Sequence, residues 1–83
     1  MTPVAAGGAL PRRIAPRKLL HSKWTAVVPQ GRQKHFIVVR LIERESPQLP
    51  PEQVEIEAVH SRRRRVIDWR ELRDPARWHQ GWR

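Results

Sequence analysis

Two runs of apolar and β-branched residues open the ordered part of the chain. WTAVV (Trp24 to Val28) predicts a first strand, and KHFIVVRLIE (Lys34 to Glu43) predicts a second. Both faces of the second strand should be covered, because only Arg40 interrupts its apolar centre. The intervening PQGRQ has turn chemistry, since glycine accepts a positive φ at Gly31.

The next segment, QVEIEAVH, alternates cleanly between apolar and charged residues. Val54, Ile56 and Ala58 fall on one face, and Glu55 and Glu57 fall on the other. A period of two is typical of a strand with one buried face. The proline-rich loop before it, RESPQLPPE, cannot continue a ladder because proline lacks the backbone donor.

A fourth strand is predicted in RRRRVIDW, which follows almost without a gap. A hairpin that turns near Arg62 and Arg63 would pair Ala58 with Ile67 and Ile56 with Trp69. That register would set Glu55 opposite Arg70, which is favourable, and Glu57 opposite Asp68, which is unfavourable. Because side chains alternate along a strand, at most two of the four arginines should share a face unless the tip is irregular.

The final segment, ELRDPARWHQGWR, carries signals for a short helical turn. Asp74 suits an N-cap, Pro75 suits the first helical position, and Gly81 suits a left-handed stop. The predicted fold class is therefore mainly β: a small antiparallel meander, or an SH3-like or OB-like barrel, of about four strands with a short C-terminal helical turn.

Domain organisation follows from composition. Residues 1–16 mix glycine, proline and alanine without periodicity and predict a disordered basic arm, which leaves residues 17–83 as a single small β domain. The chain has no cysteine, so neither disulfides nor thiolate metal sites are available, and large side chains must fill the core. The predicted core residues are Trp24, Phe36, Val38, Ile56, Ala58, Ile67 and Trp69.

Charge changes the functional expectation. The net charge is +9, and the first 42 residues contain no acidic residue. Arginine offers planar, bidentate geometry for phosphate, so a run of four arginines makes nucleic acid the first partner to consider. The predicted nucleic-acid-binding residues form an N-terminal and a hairpin cluster: Arg12, Arg13, Arg17, Lys18 and Lys23, and Arg62, Arg63, Arg64 and Arg65.

Two function classes remain open. The first is a nucleic-acid-binding module, with RNA or the ribosome favoured because no recognition helix is evident, and with Trp78 and Trp82 as possible stacking residues. The second is a protein-interaction module or accessory subunit that docks an acidic partner. No catalytic residues, metal site or cofactor are expected, because the four histidines occur singly and Glu55 and Glu57 are better explained as a solvated face near arginines. With no secretory signal and no apolar run of membrane-spanning length, the expected location is cytoplasmic.

Several short motifs carry a family resemblance. SKWTAV (Ser22 to Val27), KHF, EAV and the spaced tryptophans of WREL...DPARW..GW (Trp69 to Trp82) resemble a family of small tryptophan-rich bacterial proteins of unknown function. The resemblance covers about residues 15–83. It implies a bacterial, single-domain, non-secreted protein and brings no established activity, cofactor or site.

Overall fold

The fold is described here from a computed structural model, over residues 15–46 and 48–83. Within these residues the chain forms one antiparallel sheet in the order β4-β3-β2-β1-β5. The strands are β1 (Lys23–Gln30), β2 (Gln33–Ile42), β3 (Gln53–Ala58), β4 (Arg64–Asp68) and β5 (Trp78–Gln80). Two short 3₁₀ turns accompany them, at Pro16–Lys18 and at Trp69–Arg73. The mainly β prediction is confirmed.

Successive hairpins give the sheet two distinct ends. The β1–β2 turn, where Gly31 has a φ of 61°, and the β3–β4 turn, where Arg62 has a φ of 64°, lie at one end, which we call the tip edge. The two turns are tied together there by a 3.1 Å hydrogen bond from Ser61 Oγ to Gln33 Oε1. The β2–β3 loop lies at the opposite end, which we call the loop edge.

The core lies against one face of the sheet, which we call the core face. Its buried side chains come from all five strands, from the 3₁₀ turn after β4 and from the segment before β1, so irregular segments help to cover the sheet. The buried hydrophobic residues are Leu19, Trp24, Phe36, Val38, Val54, Ile56, Ala58, Ile67, Leu72 and Trp78. Six of the seven predicted core residues are thus buried, and Trp69 is partly buried against them.

Two details of the predicted architecture differ from the structure. The described sheet is open, with five strands where about four were expected, and it does not close into a barrel. The C-terminal segment forms a single turn, in which the Asp74 carbonyl accepts the backbone N–H groups of Arg77 and Trp78, and it then adds the short strand β5, which was not predicted. Asp74 Oδ1 does accept the backbone N–H of Ala76, as a cap would, but the chain turns there for only a few residues, and Trp78 then pairs with Ala26 of β1.

The register of the β3–β4 hairpin also differs from the prediction. The chain turns directly after Ala58, so Ile67 pairs with Val54 and Ile56 faces Arg65. Glu57 therefore lies opposite Arg64 and not opposite Asp68. Opposite charges face each other in the observed register, where the predicted one placed two carboxylates together, and this favours the earlier turn.

Trp69 is consequently not a strand residue opposite Ile56. Strand β4 ends at Asp68, whose Oδ1 accepts the backbone N–H of Arg70 at 2.9 Å and so caps the following 3₁₀ turn. The guanidinium groups of Arg70 and Arg73 lie 5.5 and 5.9 Å from the centroid of the Trp69 ring. The Trp69 side chain therefore packs against the core and also contacts two guanidinium groups.

Candidate anion-binding cleft

A cleft of about 590 Å³ opens on the core face at the tip edge. Its apolar part includes Val28, Phe36 and Trp78, and the rings of Phe36 and Trp78 meet edge to face with centroids 5.1 Å apart. Arg63 and Arg65 contribute cations to its lining. A cleft with an apolar floor and a few convergent charged groups has the general form of a ligand site.

The arginine run is divided between the two faces of the sheet. Arg65 shares the core face with Ile67, because side chains alternate along β4, and Arg63 also lines the cleft. Arg64 also contributes to the lining of the cleft, but its guanidinium bonds to Glu57 on the opposite face, and Arg62 reaches the same carboxylate from the turn. Within the part of the chain that the structure describes, Arg63 and Arg65 are therefore the two arginines of the hairpin cluster that form no ion pair.

Glu57 accounts for this division. Its carboxylate is 2.7 Å from Arg64 Nε and 3.4 Å from Arg62 Nη1, and the residue is only 8% exposed. The hydrogen bond from Arg64 is the main reason that the pKa of Glu57 lies below its ordinary value of 4.5, although burial acts in the opposite direction. The sequence predicted that Glu57 would lie on a solvated face, whereas its carboxylate is nearly buried and paired. Glu55, on the same face, forms an ion pair with Arg40 at 3.3 Å.

The Glu57 pair predicts a pH dependence of stability. A carboxyl whose pKa is lower in the folded protein stabilises the fold above its unfolded pKa and loses that contribution as the pH falls through the folded value. We expect Glu57→Gln to lower the melting temperature at neutral pH and to flatten its dependence on pH below about 4.5. Thermal melts followed by circular dichroism across the acid range would measure both effects.

Glu45→Gln is the matched control for that experiment. Glu45 is exposed and has no ion pair among the described residues, so its loss removes the same charge without breaking a contact. Parallel pH profiles for Glu57→Gln and the unmodified protein would show that the carboxylate does not hold the hairpin.

Other cations at the tip edge are also unpaired. Arg32 and Lys34 lie at the end of the β1–β2 hairpin and, like Arg63 and Arg65, form no ion pair with any residue that the structure describes. The sequence interpretation overlooked Arg32 and Lys34. The predicted meander topology could have placed Arg32 and Lys34 beside the arginine run, because the first and third turns of a meander lie at the same end of the sheet.

The N-terminal basic residues do not join this group. Arg17 lies at the loop edge, where its guanidinium is 3.1 Å from Glu43 Oε2 and donates to the Leu49 carbonyl at 2.9 Å. Lys18 shares the same short 3₁₀ turn. The two predicted clusters are therefore not a single continuous surface within the described residues, and Arg12 and Arg13 lie outside them.

The two candidate stacking tryptophans have different positions. Trp78 is only 4% exposed and packs in the core, so it offers no open ring face. Trp82 is 43% exposed, donates from Nε1 to the Phe36 carbonyl at 2.9 Å and has Lys23 Nζ 4.7 Å from its ring centroid. Lys23 therefore covers the ring that a base would use.

Neither a metal-binding cluster nor a membrane-spanning helix occurs in residues 15–46 and 48–83. No three His, Asp or Glu side chains there come close enough together to hold a metal ion. No helix in the same residues has the length and apolar character needed to cross a membrane.

The geometry defines a small basic β protein with a single open sheet and a cationic cleft at one edge. The chain belongs to the family described as tryptophan-rich protein (DUF2389), whose family model matches residues 22–83. That match includes all five strands and the cleft. No curated protein and no solved structure matched the chain significantly.

Proposed function

We propose that this protein binds nucleic acid, with RNA or the ribosome favoured, mainly through phosphate contacts with little sequence specificity. The observation that carries the proposal is a set of cations at the tip edge, Arg32, Lys34, Arg63 and Arg65, that form no ion pair with the described residues and lie around a cleft that opens to solvent. The proposed location is the bacterial cytoplasm, where ribosomal and messenger RNA are abundant.

The distribution of ion pairs supports this choice of surface. At the loop edge Arg17 pairs with Glu43 and Arg44 pairs with Glu52, so charge there is largely compensated. On the face opposite the core, the carboxylates of Glu55 and Glu57 are held by arginines. The cations on the cleft side remain available to an external anion, and arginine binds phosphate through two parallel hydrogen bonds.

RNA is favoured over duplex DNA on geometric grounds. The described residues contain no α-helix that could fill a major groove, and a short, irregular sheet edge suits a single strand or a loop better. Contacts made by Arg32, Lys34, Arg63 and Arg65 would reach the backbone and not base edges. Binding should therefore tolerate many sequences.

Salt dependence tests the proposal directly. If the four tip cations each neutralise one phosphate of single-stranded RNA, the affinity should fall roughly fifty-fold between about 50 and 200 mM salt, a log–log slope of about −2.8. Fluorescence anisotropy with a labelled 20-nucleotide RNA would give this slope.

Two outcomes would overturn the proposal: no binding at the lowest salt, or an affinity that barely changes with salt. Purification without nuclease offers an independent check, because an RNA-binding protein should carry material that absorbs at 260 nm. A specific protein partner that stays bound after nuclease treatment, with no RNA affinity in vitro, would support a protein-interaction module instead.

A further inference from the structure

We infer that the cleft holds one nucleotide unit, with its phosphate against Arg63 and Arg65 and its base against the apolar floor. This inference deepens the proposed function and rests on it, because it assigns a nucleotide to the cleft that lies among the proposed phosphate contacts. The size of the cleft, its floor and its charge each support this occupant.

Size restricts the occupant to a small molecule or to one unit of a polymer. The volume of about 590 Å³ lies within the range of small-ligand pockets. A bare phosphate would leave most of such a space filled with water. A unit that combines a phosphate with a flat ring system uses both the charged and the apolar parts of the lining.

The floor of the cleft suits a flat apolar group. Val28 is 76% exposed although it lies on a strand beside the buried Phe36 and Trp78. Packing within the chain does not cover this valine, whereas a base placed over it would remove apolar surface from water. Stacking of a base on an apolar or aromatic surface tolerates any of the four bases, which agrees with low sequence specificity.

Charge fixes the orientation of the occupant. Arg77 also lines the cleft, but its guanidinium is 3.3 Å from Glu71 Oε1, so this wall carries a compensated pair. Arg63 and Arg65 have no such partner among the described residues, and the phosphate should lie on their side. The Glu71 carboxylate is an acceptor on the other side, where the hydroxyl groups of a sugar are donors.

The test measures the affinity of the full chain for three probes: adenosine 5′-monophosphate, adenosine and inorganic phosphate. Each probe is titrated by calorimetry and by NMR, which follows the tryptophan indole N–H signals. We expect the nucleotide to bind at least several-fold more tightly than either fragment and to shift the Trp78 signal. Equal affinity for the nucleotide and for phosphate would overturn the inference, because the floor would then contribute nothing.

A pair of charge-matched variants locates the site. Val28→Glu places a carboxylate in the cleft and should weaken nucleotide binding at least tenfold. Val66→Glu makes the same change at a valine that is 45% exposed on the opposite face, and it should leave nucleotide binding unchanged. Both positions are exposed, so both variants should fold, which circular dichroism would verify.

The two proposals fail in different ways. RNA binding without nucleotide binding, or equal losses in Val28→Glu and Val66→Glu, would overturn the cleft as a nucleotide site and leave the proposed function standing. Nucleotide binding without any affinity for RNA would keep the cleft as a mononucleotide site and overturn the proposed function.

Discussion

Trp24→Ala is expected to lower the free energy of unfolding by about 3–5 kcal/mol, the range for removal of a buried aromatic side chain. Trp24 is fully buried, and its Nε1 donates to Ser22 Oγ at 2.8 Å. It pairs with Phe36 near the start of β1 and is one of the largest fully buried side chains, so its loss opens a large cavity in the core. A domain this small has a total stability of only about 5 kcal/mol, so we expect the variant to retain at most about 2 kcal/mol and to be only marginally folded at 25 °C.

Urea unfolding followed by circular dichroism would measure the effect. Trp82→Ala is the control, because Trp82 is 43% exposed and its removal leaves the core intact. We expect this control to lose less than about 2 kcal/mol, in line with partial loss of its buried area and of one hydrogen bond. Similar urea midpoints for Trp24→Ala and the unmodified protein would contradict the assignment of Trp24 to the centre of the core.

Local pattern was sufficient to predict strands β1 to β4 but neither β5 nor the pairing of the strands. Alternation in QVEIEAVH placed Val54, Ile56 and Ala58 on the core face, and the glycine turn at Gly31 separated β1 from β2. Strand β5 was missed, because its short WHQ segment has no periodic signal and is a strand only through its pairing with β1. The capping signal at Asp74 produces one turn, and pairing with β1 begins at Trp78.

The candidate site shows the same limit. The alternation rule correctly indicated that the four arginines would be split between faces. Which of them remain unpaired depends on the register of the β3–β4 hairpin, since only the observed register brings Arg64 beside Glu57. The contributions of Val28 and Arg77 to the cleft depend on contacts between distant segments, and no local signal in the sequence indicates these.

Glu57 connects stability with the proposed binding surface. Its carboxylate pairs with Arg62 and Arg64 on one side of the hairpin. Arg63 and Arg65 have no such pair among the described residues and line the cleft on the other side. The pairing also raises the pKa of Arg64 above its already high ordinary value, so this arginine remains a fixed positive partner at any physiological pH. Two of the four adjacent arginines therefore pair with Glu57, and the other two, Arg63 and Arg65, are the proposed ligand contacts.

The Arg63→Ala/Arg65→Ala double variant should weaken RNA binding on the order of tenfold to a hundredfold at about 50 mM salt and reduce the log–log salt slope by about 1.4. Its melting temperature should change little, because neither side chain forms an ion pair with the described residues.

The Arg62→Ala/Arg64→Ala variant is the control. It removes the same number of positive charges, so the long-range attraction to RNA is equal in the two variants. We expect it to retain most of the affinity and to lose thermal stability, because Glu57 is left without its partners. Anisotropy titrations at several salt concentrations, together with thermal melts, separate the two effects. Equal losses of affinity in both variants would show that binding depends on net charge alone, and a larger loss in Arg62→Ala/Arg64→Ala would place the RNA on the face opposite the cleft.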